Sequence, residues 1–162
     1  MIKKILLICF LLISASCGFK PMFAGQDMDI YIPPISGING IDLCNALWAE
    51  FGGQYEPDAT YTLDITLRNP STSYKAYDRT GAATWQEISM TANYTLSRHG
   101  QVIARGTENT AESYTLVRYL VASNASYNNA VQNAIRVLAE KISARVIAET
   151  HRYAESGNKS DK

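Results

Sequence analysis

The chain has 162 residues and no net charge, because fifteen basic side chains balance fifteen acidic ones. Nucleic-acid binding needs clustered positive charge that neutralises phosphates, so the composition argues against nucleic acid as a partner. The length suffices for one domain with a hydrophobic core.

The N-terminus has the order of an export signal. Lys3 and Lys4 precede an apolar run over residues 5–13, and Ser14-Ala15-Ser16 follows immediately before Cys17. Charge, a short apolar core and a small-residue cleavage site define a secretory signal. The run is too short for a transmembrane helix, which needs about 20 apolar residues. We therefore predict a signal peptide over residues 1–16.

Two outcomes of cleavage stay open at Cys17. Small residues before a cysteine are typical of the bacterial lipobox, in which the cysteine thiol is acylated before the peptide is cut. Ser14 stands where that motif usually has Leu. An ordinary signal peptidase could cut the same bond and leave Cys17 unmodified. Lipidation of Cys17 is the prediction that we carry forward.

The mature chain divides into three zones. Pro21 and Gly25 discourage regular structure, which predicts a lipidated tether over residues 17–27. A single α+β domain is predicted over 28–154, and a polar, frayed tail over 155–162. With Cys9 in the signal and Cys17 carrying lipid, Cys44 stands alone. The domain must then fold without an internal disulfide.

Hydrophobic periodicity predicts the elements of the domain. A short strand over 28–32 precedes a helix over 40–51, with Asn39 as its N-cap and Gly52-Gly53 as its stop. Alternating strands are predicted over 60–68 and 85–97, with a polar loop over 69–81 between them. A tight turn at Arg98-His99-Gly100 leads into a hairpin partner over 101–110.

A long amphipathic helix is predicted over residues 126–153, with Val131, Ile135, Leu138, Ile142 and Val146 on one stripe. Both helices have one apolar face, and the strands have one wet face. The predicted fold is therefore an α+β two-layer sandwich: a four-stranded mixed or antiparallel sheet with two helices on one face.

The sequence contains no recognisable catalytic or metal-binding constellation. His99 and His151 have no ligand partner three or four residues away, and Cys44 lies on an apolar helix stripe. Nucleophile elbows, phosphate-binding loops and dinucleotide fingerprints are missing. We expect a protein that is not an enzyme and that needs no cofactor.

Several segments resemble one lipoprotein family. Residues 17–23 (Cys-Gly-Phe-Lys-Pro-Met-Phe) resemble the start of LptE, the lipopolysaccharide-assembly lipoprotein, in its alphaproteobacterial form. The segments 61–67, 90–96 and 102–106 resemble the family's second, third and fourth strands. Residues 112–114 and 119–122 resemble the passage into its Ala-rich terminal helix.

This resemblance implies an outer-membrane lipoprotein, anchored through Cys17, that plugs the barrel of LptD and assists its assembly. It also implies contact with lipopolysaccharide on its way to the outer leaflet. The alternative is an accessory lipoprotein, a binding module of another envelope lipid-transport or secretion complex. An envelope hydrolase is a third, weaker reading.

Three cations surround the predicted loop between the second and third strands. Arg68, Lys75 and Arg79 could pair with lipopolysaccharide phosphates through charge-assisted hydrogen bonds. The alternative is that a solvated loop simply carries solubilising charge. Trp85, Tyr74 and Tyr77 could be anchors that face the barrel, or they could pack at strand ends.

Replacing Cys17 with Ala tests lipidation. We expect the variant to be released into the soluble periplasm, because it lacks the thiol that carries the lipid. Fractionation of cells measures this release. An intact mass of the wild-type mature protein that showed an unmodified cysteine would contradict the prediction.

Overall fold

The computed structural model describes residues 28–160, with side chains described through residue 156. Cys17 and the predicted signal and tether lie outside the described residues. The elements in chain order are β1 (Ile30–Tyr31), α1 (Ile38–Phe51), β2 (Tyr61–Leu67), β3 (Ser71–Tyr77), β4 (Ala83–Arg98), β5 (Gln101–Thr115) and α2 (Leu120–Ser160).

The 16-residue strand β4 organises the sheet. One of its edges pairs antiparallel with β5 along nearly the whole length of both strands. The other edge pairs first with β3, at residues 83–89, and then with β2, at residues 92–98. The short β1 adds in parallel to β2. The result is a five-stranded, mostly antiparallel sheet.

The predicted loop over 69–81 is wrong for most of its length, because residues 71–77 form β3. β2 and β3 together run as one interrupted strand along β4, and Pro70 marks the interruption. The backbone N–H of Arg68 still donates to Thr91 O at 2.9 Å. The sequence gives no sign of this strand, because all its side chains except Ala76 are exposed and no apolar residues alternate along it.

The predicted α+β two-layer fold is confirmed, with one strand more than expected. Leu63, Ile65 and Leu67 of β2 lie opposite Leu96, Tyr94 and Ala92 of β4, so all six side chains share one face of the sheet. Both helices pack on that face. Their buried residues join those of the sheet in a single core.

Glycines fix both ends of α1. Gly37 precedes the helix with a φ of 87°, and no side chain caps the first turn. The helix begins at Ile38, so the predicted N-cap Asn39 lies inside it. Gly52 ends the helix in the left-handed conformation, as predicted for a glycine at this position.

A bulge explains why the sequence of β5 lacks clean alternation. Leu96 pairs with Ala104, whereas Ser97 pairs with Val102, so Ile103 is an extra residue in β5. Both Ile103 and Ala104 then pack against the core. The predicted turn is confirmed: His99 and Gly100 both have positive φ, as a two-residue hairpin requires.

The helix α2 is longer than predicted at both ends. It begins at Leu120 and continues through Ser160, so most of the segment predicted as a frayed tail is helical. At 1.5 Å per residue its 41 residues span roughly 60 Å. Its predicted stripe is buried: Leu138, Ile142 and Val146 have no exposed surface.

Replacing Leu138 or Ile142 with Ala should each cost about 2–5 kcal/mol of stability, the usual range for removing a buried large side chain. Both side chains project from α2 into the core and are fully buried. Chemical denaturation measures the loss. Glu140→Ala, on the exposed face of the same helix, is the matched control and should stay near the wild-type midpoint. Unchanged midpoints for both core variants would contradict this packing.

Candidate functional site

The face of the sheet opposite the helices is open and consists mainly of uncharged polar side chains. Residues that lie opposite each other on neighbouring strands share a face of the sheet, so the strand register identifies the residues of this face. The uncharged polar ones are Thr62, Thr66, Ser89, Thr91, Asn93, Thr95, Ser97, Thr107, Asn109 and Ser113, and the charged ones are Asp64, Glu87 and Arg105. Asn93 accepts a hydrogen bond from the Thr107 hydroxyl at 2.8 Å. We call this surface the open face.

The structure does not bring the three predicted cations to one point. Arg68 precedes β3, and Arg79 follows it in the turn to β4. The seven residues of β3 separate them by roughly 23 Å at about 3.3 Å per residue. Lys75 lies within β3, and its ammonium forms an ion pair with Glu87 at 2.8 Å. Arg68 and Arg79 are both exposed.

The turn that carries Arg79 is held by Asp78. The Asp78 carboxylate accepts hydrogen bonds from the Thr80 hydroxyl at 2.6 Å, the Thr80 amide at 2.8 Å and the Ala82 amide at 3.0 Å. The Thr80 hydroxyl is the main reason that the pKa of Asp78 lies below its usual value. This carboxylate is engaged by its own loop, whereas the side chain of Arg79 in the same turn is exposed.

Exposed apolar side chains concentrate at the same end of the domain. Tyr74 and Tyr77 lie 6.1 Å apart between ring centres, and β3 pairs with β4 beside Trp85. Trp85 pairs with Thr115 at the end of β5, from which the chain turns into α2. We call this surface the tip; its members are Tyr74, Tyr77, Trp85, Val117, Tyr119, Leu120 and Val121.

Both ends of the described chain lie at the opposite end of the sheet from the tip. Asp29 accepts from the Tyr61 amide, and Tyr61 pairs with Arg98 at the far end of β4. The guanidinium of Arg98 lies 5.7 Å from the ring centre of Tyr153, near the end of α2. Trp85 is thirteen residues from Arg98 along β4, which corresponds to roughly 40 Å.

The described residues hold little reactive chemistry. Burial raises the pKa of the Cys44 thiol, which disfavours the nucleophilic thiolate. Among residues 28–160, no group of three or more potential ligands could hold a metal ion. In the same part of the chain, no helix is long and apolar enough to span a membrane.

Sequence reasoning located part of the tip and missed the rest. Tyr74, Tyr77 and Trp85 were candidate anchors, and the structure leaves all three more than half exposed. The segment Tyr119-Leu120-Val121 was read only as a passage into the helix. Its signal was three consecutive large apolar residues ahead of the predicted apolar stripe, which begins at Val131.

No protein-family model and no curated protein sequence matches the chain. Solved structures do share its fold. Rare lipoprotein B from Shewanella oneidensis superposes with a TM-score of 0.59 at 13% identity, over 78% of this chain and 98% of that one. A protein from Caulobacter crescentus, described as a candidate lipoprotein, gives 0.60 at 18% identity over 72% and 86%.

The same fold occurs in a protein from Xanthomonas campestris, with a TM-score of 0.63 at 11% identity over 83% of this chain and 92% of that one. These likenesses cover most of the described domain and nearly all of each neighbour. The chain therefore has a fold that bacterial lipoproteins use.

Replacing Arg68, Lys75 and Arg79 together with Ser tests the predicted lipopolysaccharide contact. We expect weaker binding of lipopolysaccharide and a smaller salt dependence, because screened charge pairs lose strength as ionic strength rises. Fluorescence titration at low and high salt measures both. Arg136→Ser, an exposed cation on α2, is the control and should bind normally. Unchanged binding by the triple variant would mean that these charges only solubilise the surface.

Proposed function

We propose that this protein is a noncatalytic lipoprotein of the Gram-negative outer membrane that plugs the LptD barrel. In this role it assists assembly of the barrel and aids lipopolysaccharide transport to the outer leaflet. The observation that carries the proposal is the shared fold with rare lipoprotein B over 98% of that protein's length. The sequence resemblance to LptE, from residue 17 to the terminal helix, points to the same role.

The open face suits enclosure by a barrel. The interior of outer-membrane barrels is polar, and a plug needs surfaces that hydrogen-bond to it. Hydroxyl and amide side chains such as Thr91, Asn93 and Thr107 provide donors and acceptors at little desolvation cost compared with buried charges. The exposed face of α2 is also polar, so both large surfaces of the domain fit such an interior.

The second candidate is an accessory lipoprotein of another envelope lipid-transport or secretion complex. One observation favours keeping it: the protein from Xanthomonas campestris shares the fold at a TM-score of 0.63, against 0.59 for rare lipoprotein B. At 11% and 13% identity both likenesses concern the fold, which is compatible with either role.

Affinity purification from solubilised outer membranes separates the two candidates. We expect a stable complex between the tagged, full-length protein and a large barrel protein. Washing at high salt serves as the control, because an intimate plug should survive it whereas weak charge contacts should not. Recovery of a periplasmic or inner-membrane partner, with no barrel, would contradict the proposal and support the accessory role.

A further inference from the structure

We infer that the tip is the surface by which this protein docks onto its barrel partner, at the end of the barrel remote from the lipid anchor. The partner surface should be apolar and bear carboxylates. This inference rests on the proposed function and adds to it the place of contact and its chemistry.

Exposure of the tip is the first argument. Tyr119, Leu120 and Val121 are 79%, 75% and 83% exposed in the first turn of α2 and just before it. Monomeric soluble proteins rarely expose contiguous apolar surface of this kind, and such patches usually mark interaction sites. The stripe by which α2 packs on the sheet lies further along the helix, so these side chains are not needed for the core.

The position of two aromatic members on paired strands is the second argument. Tyr74 lies on β3, which pairs with β4, and Trp85 lies on β4 itself. Both side chains are more than half exposed. Trp, Tyr and Arg are the residues most enriched at the energetic centres of protein interfaces. Tyr and Trp have only two side-chain torsions each, so they lose little conformational entropy when a partner covers them.

Charge at the tip is the third argument. Arg79 and Arg118 are exposed, and neither forms an ion pair with any side chain described between residues 28 and 156. The neighbouring Asp78 is engaged within its own turn. Two arginines beside an apolar patch complement carboxylates on a protein partner, since guanidinium binds carboxylate in a bidentate geometry.

The position of the tip decides between possible occupants. Both ends of the described chain lie roughly 40 Å from the tip, at the other end of the sheet. A bilayer measures about 40–45 Å across, including its headgroups. A domain anchored at its N-terminal end and enclosed by a barrel would therefore present the tip near the opposite side of the membrane. The barrel itself is the partner available there.

The test compares two variants of the full-length protein in the same purification. The tip variant carries Tyr119→Ser, Leu120→Ser and Val121→Ser. The matched control carries Ile38→Ser and Ile41→Ser, which are 80% and 59% exposed on α1. We expect the tip variant to recover at least about tenfold less barrel, equivalent to about 1.4 kcal/mol of binding free energy. The control should stay within about twofold of wild type, and thermal midpoints should confirm that both variants fold.

The outcomes are distinguishable. Wild-type protein that recovers no barrel contradicts the proposed function itself. Wild-type recovery with equal recovery by the tip variant contradicts only the docking inference, as would an equal loss in the control. If the tip variant keeps the barrel but no longer binds phosphatidylglycerol vesicles, the tip contacts lipid and the inference is overturned. If it keeps the barrel but loses a dimer seen in wild type by sedimentation, the occupant is a second copy, and the inference is likewise overturned.

Discussion

One-sided packing of α2 on the sheet determines the other properties of this domain. The stripe through Leu138 and Ile142 is buried on the inner face of the sheet, and α1 packs beside it on the same face. Burial of large apolar side chains is the main favourable term in folding. Because both helices lie on one face, the opposite face receives no cover from the described chain. Its threonines, serines and asparagines, together with the charged Asp64, Glu87 and Arg105, keep that uncovered surface hydrated.

The central strand makes this arrangement possible. At 16 residues, β4 is long enough for one edge to pair with both β2 and β3, while the other edge pairs with β5. At one position the sheet needs a side chain smaller than alanine: a Cβ at Gly106 would lie 2.5 Å from the Tyr94 ring opposite. The ring therefore packs over the bare backbone of β5, and the inner face stays continuous.

Sequence periodicity predicted the elements whose faces differ in polarity, and failed where both faces are alike. β2 and β4 alternate because one face is core and the other is wet, and both were predicted to within two residues. β3 has exposed side chains on both of its faces, so no alternation arises. The early turns of α2 were missed for a different reason: residues 122–129 are small or polar apart from Tyr127, so the apolar stripe that begins at Val131 does not extend back to Leu120 and Val121.

The candidate site was predictable in its components and less so in its geometry. The sequence predicted Arg68, Lys75 and Arg79 around one loop, whereas the structure spreads them along a strand and pairs Lys75 with Glu87. Long-range strand pairing also joins Trp85 to the segment after Thr115, which no local pattern reveals. The aromatic residues, read as possible anchors, lie in the patch that the structure exposes.

The two ends of the domain differ in what they carry. The chain continues toward its predicted lipid anchor from one end, whereas the exposed apolar residues concentrate at the other. A lipoprotein with this asymmetry can be held in one leaflet while its far end contacts a partner. Two polar broad surfaces between those ends suit a position inside a water-filled barrel.

Enclosure is the central claim, and photo-crosslinking in living cells tests it most directly. A photoreactive residue would be placed at Thr107 on the open face and, separately, at Glu140 on the exposed face of α2. These positions lie on opposite sides of the domain, so only a surrounding partner can touch both. Enclosure predicts crosslinks from both positions to the same barrel protein. Crosslinks from one side alone, or to two unrelated partners, would contradict it.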